Sequence, residues 1–241
     1  MLKPTVYIPF VNRPDLLAAA IKSLGKYGDR VVIIDNSVDG RTFWELPKLG
    51  VQLEPCGWGR GPRGGVVRLF SPCVPLSFTQ SQNLMIGWHR VAIADHDYDE
   101  EQNGVYFWLH VDGTASEAAY EALLKKVEEL EAAGTKWGAV LTRYDVFSAV
   151  NAGAANAVGG YDNVFQSYTS DKDFYRRLKL AGYWVGGIGH MDVKHLRSQT
   201  LKSDPLLALK SKLTGQARRD YYIAKWGGKP GEEKYTKPFN Q

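Results

Sequence analysis

Two carboxylates each follow a run of apolar residues that is typical of a buried strand. Asp112 comes directly after GVYFWLHV, and Asp35 ends RVVIID. Both runs are rich in β-branched and aromatic residues, which fit a pleated apolar surface. A carboxylate held rigidly at a strand end is well placed to ligate Mg²⁺ or Mn²⁺, which keep open positions for phosphate oxygens. The plainer interpretation of Asp112 is a helix N-cap.

Two further groups of candidates lie later in the chain. Asp171 and Asp173 stand in SDKDF, near the start of a predicted helix. Negative charge is favoured there by the helix dipole, so capping is one interpretation and a general base is the other. GHMDVKH contains two histidines, of which His195 follows the last predicted strand of the sheet. Histidines in such positions are more often structural than ligands, although His195 would be able to reach the same rim as the acids.

Strands and helices alternate along most of the chain, which indicates the framework that must hold these residues. The order begins strand, helix, strand, with the first helix starting at Pro14, so a parallel sheet is the economical inference. In open sheets of this kind ligands bind at the carboxyl ends of the strands. Asp35 and Asp112 are therefore expected to converge on one edge. The predicted strands are TVYIPF, RVVIIDNS, a short one near Val51–Leu53, VVRLF, VYFWLHV, KWGAVLTRY and YWVGGIG, and two amphipathic helices are predicted from Ser203 onward.

Composition sets limits on the class of protein. The 241 residues are 44% hydrophobic and 23% charged, enough for one large α/β domain or two small ones. No run approaches the roughly 20 apolar residues of a membrane span, and MLKPTVYIPF lacks the pattern of a signal peptide, so a cytoplasmic location is expected. Cys56 and Cys73 are expected to be reduced. From Lys194 onward 11 Lys and Arg face 4 Asp and Glu, which predicts either a solvated helical surface or a patch for an anionic partner.

Several familiar motifs are absent or in the wrong context. GRGPRG, residues 59–64, matches GxGxxG, but the strand VVRLF follows it where a dinucleotide site needs a helix. A flexible loop is the better interpretation, with a phosphate or acceptor contact from its arginines as the alternative. The sequence contains no GxxxxGK[ST], GxSxG or HExxH, so phosphate-loop, serine-hydrolase and zincin chemistry have no support.

Taken in order, these pieces resemble the inverting family 2 glycosyltransferases of the GT-A fold over roughly residues 4–200. The matching pieces are the strand ending in Asp35, then QNLMIGW, LHVDG, VGGYDNVFQSYTSDKDFYRRLKLAGY and VKH. The resemblance implies an α/β fold of the GT-A type, an open, mostly parallel sheet flanked by helices in three Rossmann-like layers. Residues 1–200 would form the nucleotide-sugar-binding and catalytic domain. Residues 201–241 would form a helical, basic C-terminal extension packed on it.

The resemblance also implies roles for individual residues. The chain departs from the family pattern where His110 replaces the first acid of the DxD motif, Ser170 replaces a glutamate and Gln82 stands in place of arginine. The implied nucleotide-sugar-binding residues are Pro9, Phe10, Asn12, Asp35, Gln82, Asn83, His110 and Asp112, with Asp35 accepting hydrogen bonds from the base. The implied metal ligands are Asp112 and His195, the implied catalytic base is Asp171, and Asp173 would support that base or cap the helix.

The expected function is that of a metal-dependent inverting glycosyltransferase using Mn²⁺ or Mg²⁺. Its donor would be a UDP-, GDP- or TDP-sugar, and its acceptor a glycan, a lipid phosphate or DNA with a hydroxylated base. One alternative is a nucleotide- or glycan-binding module that has lost catalysis, as His110 and Ser170 suggest. The other is a sugar-phosphate nucleotidyltransferase, a class with a glycine-rich loop after its first strand, whereas IPFVNRPDL has no glycine.

Overall fold

The computed structural model describes residues 4–37, 39–55, 67–94, 104–189 and 192–241. The GRGPRG motif, Cys56 and the first histidine of GHMDVKH lie outside these residues. The strands are β1 Val6–Phe10, β2 Val31–Asp35, β3 Leu53–Pro55, β4 Val67–Phe70, β5 Val105–Leu109, β6 Gly113–Ala115, β7 Trp137–Leu141, β8 Phe147–Asn151, β9 Trp184–Gly187 and β10 Val193–His195. The helices are α1 Pro14–Ser23, α2 Thr42–Lys48, α3 Phe78–Ala94, α4 Glu117–Ala132, α5 Ala152–Ala157, α6 Ser170–Leu180, α7 Gln199–Ser203 and α8 Pro205–Trp226.

Eight strands form one open sheet in the order β3-β4-β2-β1-β5-β8-β7-β9. Strand β8 runs antiparallel to both of its neighbours, and the other described pairings in this sheet are parallel. The remaining two strands, β6 and β10, form a separate antiparallel pair. The predicted fold class is confirmed: an open, mostly parallel sheet flanked by helices, with a helical C-terminal region.

The sheet is covered on both faces, and its two central strands, β1 and β5, are apolar at every position. Successive side chains of a strand point to opposite faces, so alternate residues enter different cores. In β5, Phe107 packs with α1 and α4 on one face, whereas Tyr106 and Trp108 pack with α3, α5 and α6 on the other. Strand β2 alternates in the same way. This double burial explains why these strands read as continuous apolar runs.

The structure differs from the sequence-based expectations in several elements. Residues 42–48 form α2, whereas only a short strand was expected between residues 36 and 65. The strand β10 is only three residues long, and the sequence analysis singled out its residue His195 without predicting a strand there. The region after Ser203 is one helix of 22 residues, α8, rather than two.

Asp204 caps α8 by accepting hydrogen bonds from the backbone N–H groups of Leu206 and Leu207. Among the described helices, none combines the length and apolar character that a bilayer crossing requires.

The last turn of α8 is held to α6 by a buried carboxylate. Asp173 is fully buried and accepts hydrogen bonds from Trp226 Nε1 at 2.9 Å and Arg177 Nε at 2.9 Å. Lys225 Nζ lies 2.8 Å from Oδ1 of Asp173, the oxygen that also accepts Trp226, and 2.7 Å from Oδ2 of Asp162. A buried ion pair of this kind strongly destabilises the fold when one partner is removed, because the other charge is left uncompensated. The C-terminal helix is therefore an integral part of the fold.

We predict that Asp173→Asn lowers the free energy of unfolding by about 3 kcal/mol, since it leaves Arg177 without its carboxylate partner and Lys225 with Asp162 as its remaining acid among the described residues. Chemical denaturation measures the effect. Asp220→Asn is the matched control, because Asp220 is an exposed carboxylate of α8 whose hydrogen-bond partner among the described residues is Gln216, and its change should stay within about 0.5 kcal/mol. Equal stability of Asp173→Asn and the wild type would contradict this structural role.

Candidate active site

A cleft of about 520 Å³ opens at the carboxyl ends of β1 and β5. These strands are neighbours at the centre of the sheet, where the connections change from one half of the sheet to the other. In open α/β sheets such a switch point is where ligands bind, and the volume suits a small molecule. The walls come from the two strand ends, the loop before α6, and the helices α7 and α8.

The turn after β5 presents Asp112 to this cleft. The backbone N–H of Gly113 donates to the carbonyl of His110 at 2.9 Å, which closes a tight turn around Asp112. A side-chain methyl at Gly113 would lie 2.5 Å from Cγ1 of Val146 and 3.1 Å from the carbonyl oxygen of His110. Only glycine fits there without displacement, so the HVDG sequence fixes where the carboxylate stands.

The pair β6 and β10 brings His195 to the same place. In the antiparallel register His195 is opposite Gly113, the residue that follows Asp112 in the sequence. Beyond that pair, the N–H of Leu196 donates to the carbonyl of Asp112 at 2.8 Å, and the N–H of Gln199 donates to its Oδ2 at 3.0 Å. Asp112, which is 6% exposed, is thus tied by backbone donors to a segment more than 80 residues away.

His110, Asp112 and His195 form a cluster able to hold a metal ion. One ligand atom from each lies within 4.8 Å of the others. His195 Nε2 is 3.3 Å and His110 Nδ1 is 4.0 Å from Asp112 Oδ1. Burial, together with the nearby His195, lowers the pKa of His110 to about 4 against the opposing effect of Asp112, so its imidazole is neutral and its lone pair is available at neutral pH. The donor set fits a divalent transition ion.

Asp145 is a cleft residue that the sequence analysis did not single out. It lies between β7 and β8, where Tyr144 and Asp145 both have φ of 55°. Its Oδ1 is 4.0 Å from Nε2 of His110, and the hydroxyl of Tyr175 donates to its Oδ2 at 3.3 Å. Burial and the charge of Asp171 raise the pKa of Asp145 to about 8, outweighing the Tyr175 hydrogen bond and Lys172. The sequence carries only a partial signal for Asp145, an acid directly before the apolar run VFSAV that leads into β8, and none for the turn that places it.

Asp171 lies on the wall formed by the first turn of α6. It is partly exposed, and no described residue forms a hydrogen bond or ion pair with its carboxylate. The preceding residue, Ser170, is buried and its N–H donates to the carbonyl of Ser167, which anchors the loop. Asp171 is therefore held by its backbone while its side chain stays available to a ligand.

Among the other candidates, Pro9 and Phe10 line the cleft, whereas the polar candidates near them, Asn12 and Asp35, do not. Asp35 is 3% exposed and its Oδ1 accepts the N–H of Ser37 at 2.9 Å. Asn12 donates from Nδ2 to Asp204 at the start of α8, also at 2.9 Å. Asn36, which follows Asp35 and was not a candidate in the sequence analysis, does line the cleft.

Three further candidates lie away from the cleft. Asp173 is buried beneath α8, as described above. Asn83 holds the GGYD loop, because it donates to the carbonyl of Tyr161 at 2.8 Å and accepts that residue's N–H at 2.6 Å. Gln82 is fully buried, and neither polar atom of its side chain has a hydrogen-bond partner among the described residues. The structure thus joins His110, Asp112, Asp171 and His195 at one cleft and leaves Asp173, Asn83 and Gln82 outside it.

Comparison with known proteins gives likenesses of fold. No protein-family model and no curated protein matches this sequence. A cytidylyltransferase from Leptospira borgpetersenii serovar Hardjo-bovis shares 8% identity with a TM-score of 0.48, covering 90% of this chain and 96% of the other. Glucosyl-3-phosphoglycerate synthase from Mycobacterium tuberculosis, in complex with Mn²⁺, UDP-glucose and phosphoglyceric acid, shares 12% identity with a TM-score of 0.48, covering 89% and 78%. The same enzyme with Mg²⁺ and UDP gives 12% and 0.47, covering 88% and 78%.

We predict that Asp145→Ala weakens Mn²⁺ binding by about 10- to 100-fold. Oδ1 of Asp145 stands 4.0 Å from the outer nitrogen of His110, and the loss of a carboxyl that orients a metal-binding histidine from that side typically has an effect of this size. Isothermal titration with Mn²⁺ measures it, with Asp220→Ala as the control for a distant acid. An affinity equal to that of the wild type would show that His110 is oriented without Asp145.

Proposed function

We propose that the protein is a metal-dependent inverting glycosyltransferase that moves a sugar from a nucleotide-diphosphate sugar to a hydroxyl group. The observation that carries the proposal is the placement of the His110, Asp112 and His195 cluster in the same cleft as the unpaired carboxylate of Asp171. A diphosphate leaving group and an attacking hydroxyl need these two kinds of group together. The order of the matching sequence pieces, as in family 2 enzymes, supports the same assignment.

On the donor side, the cluster would bind the diphosphate. A divalent ion held there supplies neutralisation of the charge that grows on the leaving group. Asp112 contributes a carboxylate, whose Oδ2 accepts the N–H of Gln199, while the N–H of Leu196 fixes the backbone carbonyl of the same residue. His195 and His110 contribute imidazole nitrogens. Pro9, Phe10 and Asn36 at the strand ends would contact the nucleoside.

On the acceptor side, Asp171 would act as the base. The acceptor oxygen forms a bond to the anomeric carbon while the bond from that carbon to the diphosphate oxygen breaks. The electron pair of the broken bond leaves with the diphosphate, and the proton of the hydroxyl passes to Asp171. Attack on the face opposite to the leaving group inverts the configuration in one step, so no nucleophilic residue is required.

Binding and turnover test the two sides separately. UDP, GDP and TDP would be titrated into the protein with Mn²⁺, with Mg²⁺ or with a chelator. We expect one diphosphate to bind in a metal-dependent way and Asp112→Ala to abolish that binding. Asp171→Asn should keep the binding and lower sugar transfer by about 10² to 10⁴. Full activity in either variant, or no binding of any diphosphate, would overturn the proposal.

The same measurements separate the alternatives. Metal-dependent binding of a nucleotide sugar without its consumption, in the presence of varied acceptors, would indicate a binding module. Release of pyrophosphate from a nucleoside triphosphate and a sugar phosphate would indicate a nucleotidyltransferase. Release of a nucleoside diphosphate together with a glycosylated alcohol is the result that the present assignment requires.

The ligand atoms of the His110, Asp112 and His195 cluster also predict which ion binds. Two imidazole nitrogens and one carboxylate suit Mn²⁺ better than Mg²⁺, which prefers oxygen ligands in octahedral geometry. We expect Mn²⁺ to bind at least about tenfold more tightly than Mg²⁺. His110→Asp should reduce this ratio, because it replaces a nitrogen ligand with oxygen, whereas Asp39→Asn, at an exposed acid paired with Arg41, should leave it unchanged. Equal affinity of the wild type for the two ions would contradict a role for the imidazoles as ligands.

A further inference from the structure

Arg218 is a buried cation on the cleft wall whose neighbours carry no compensating charge. It is 8% exposed. Its Nη1 donates to Ser167 Oγ at 3.0 Å and to Thr214 Oγ1 at 2.8 Å, and its Nη2 donates to the carbonyl of Ser211 at 3.2 Å. All of these acceptors are neutral oxygens. Among the residues that the structure describes, no carboxylate forms an ion pair with Arg218.

The buried guanidinium group cannot become neutral by losing its proton, because the pKa of an arginine side chain is too high. Charged side chains are rarely buried without a partner, since the loss of hydration is only partly offset by neutral hydrogen bonds. Arg218 also lines the cleft, so a ligand in the cleft can approach it. The missing counter-charge would then come from an anionic ligand.

Lys210 supplies a second cation on the same wall. It is eight residues before Arg218 on α8, so the two side chains lie on one face of the helix, with Thr214 between them. Lys210 is exposed and lines the cleft, and its ammonium group forms no hydrogen bond or ion pair with a described residue. Ser211 offers a hydroxyl beside it. These are the lysine and arginine side chains that the described part of the chain contributes to the cleft.

Lys210, Ser211 and Arg218 lie on the side of the cleft assigned to the acceptor rather than on the side assigned to the donor. Arg218 bonds Ser167, four residues before Asp171 in the loop that leads into α6, and its guanidinium lies 5.8 Å from the ring of Tyr168 in the same loop. The metal-binding cluster is built by different elements, β5 and the β6–β10 pair. An anion at Arg218 would therefore lie on the side of the cleft where the base meets the attacking hydroxyl.

We propose that Lys210, Ser211 and Arg218 bind an anionic group of the acceptor, a phosphate or carboxylate carried by the same molecule whose hydroxyl is glycosylated. This inference rests on the proposed function and narrows its substrate class. The acceptor is a hydroxylated phosphate monoester or hydroxy acid, and neutral alcohols and neutral sugars are poor acceptors.

Methyl phosphate is a suitable probe, because it carries the anion but has no hydroxyl to be glycosylated. It would be titrated into the full-length protein saturated with Mn²⁺ and the nucleoside diphosphate that binds best. We expect it to bind to the wild type and at least tenfold more weakly to Lys210→Gln. Lys212→Gln is the matched control, because Lys212 is exposed on α8 and does not line the cleft; it should bind methyl phosphate as the wild type does.

Arg218 is buried, so its variants need a folding check. Arg218→Lys keeps the charge and loses the forked geometry, and Arg218→Gln loses both. For variants with a wild-type melting temperature, we expect the affinity for methyl phosphate to fall in the order wild type, Arg218→Lys, Arg218→Gln. Lys210→Gln changes an exposed residue and keeps the proposal testable if neither Arg218 variant folds.

Each other outcome overturns a specific statement. If the diphosphate binds but methyl phosphate does not, the anion site is refuted and the proposed function stands. If methyl phosphate competes with the diphosphate, and Lys210→Gln weakens both, the cations serve the donor and the acceptor assignment is refuted. If Lys212→Gln weakens binding as much as Lys210→Gln, the effect is one of net charge and the site is refuted. If no nucleoside diphosphate binds at all, the proposed function fails and the acceptor assignment fails with it.

Discussion

The antiparallel pairing of β6 with β10 is the contact on which the cleft depends. It joins the turn after a central strand to a segment about 80 residues later and places His195 opposite Gly113. The carbonyl and one carboxylate oxygen of Asp112 accept N–H groups from the same late segment. A buried carboxylate is unfavourable unless it is hydrogen-bonded or near a positive charge. The pairing therefore stabilises Asp112 in its buried position and brings in the histidine that would share an ion with it.

The parts of the site that could be predicted from the sequence are those with local signals. An apolar run that ends in an acid placed Asp112 at the edge of the sheet, whereas Asp171 was assigned to the same site only through the resemblance to family 2 enzymes. The strand β10 has only three residues and no periodicity of its own, so its partner could not be inferred. The turn that carries Asp145 uses two consecutive non-glycine residues with positive φ, which sequence composition does not indicate.

Spacing alone also fails to say which face of an element meets a ligand. Asp171 and Asp173 are two positions apart on α6, a rotation of about 200° on a helix, so their side chains point to nearly opposite sides. One reaches the cleft, and the other is enclosed by Trp226, Lys225 and Arg177. Asp162 of GGYD also contacts the C-terminal helix, because it accepts hydrogen bonds from Lys225 Nζ and from the hydroxyl of Tyr221. In this chain the acids of the matching segments serve both the cleft and the docking of the C-terminal helix.

The excess of positive charge at the C-terminal end acquires two distinct explanations once α8 is placed. Near the end of the helix, Lys225 is neutralised by buried acids and fixes the helix to the fold. Two to four turns earlier, Arg218 and Lys210 face the cleft without acidic partners among the described residues. Since a rigid helix joins the two regions, the ion pairs at Lys225 also hold the cations at the cleft wall in position. A buried charge with no partner in the fold is tolerated only where the fold as a whole keeps it there, and α8 is anchored at both of its ends, by Asp173 at the last turn and by Asn12 at the capping residue Asp204.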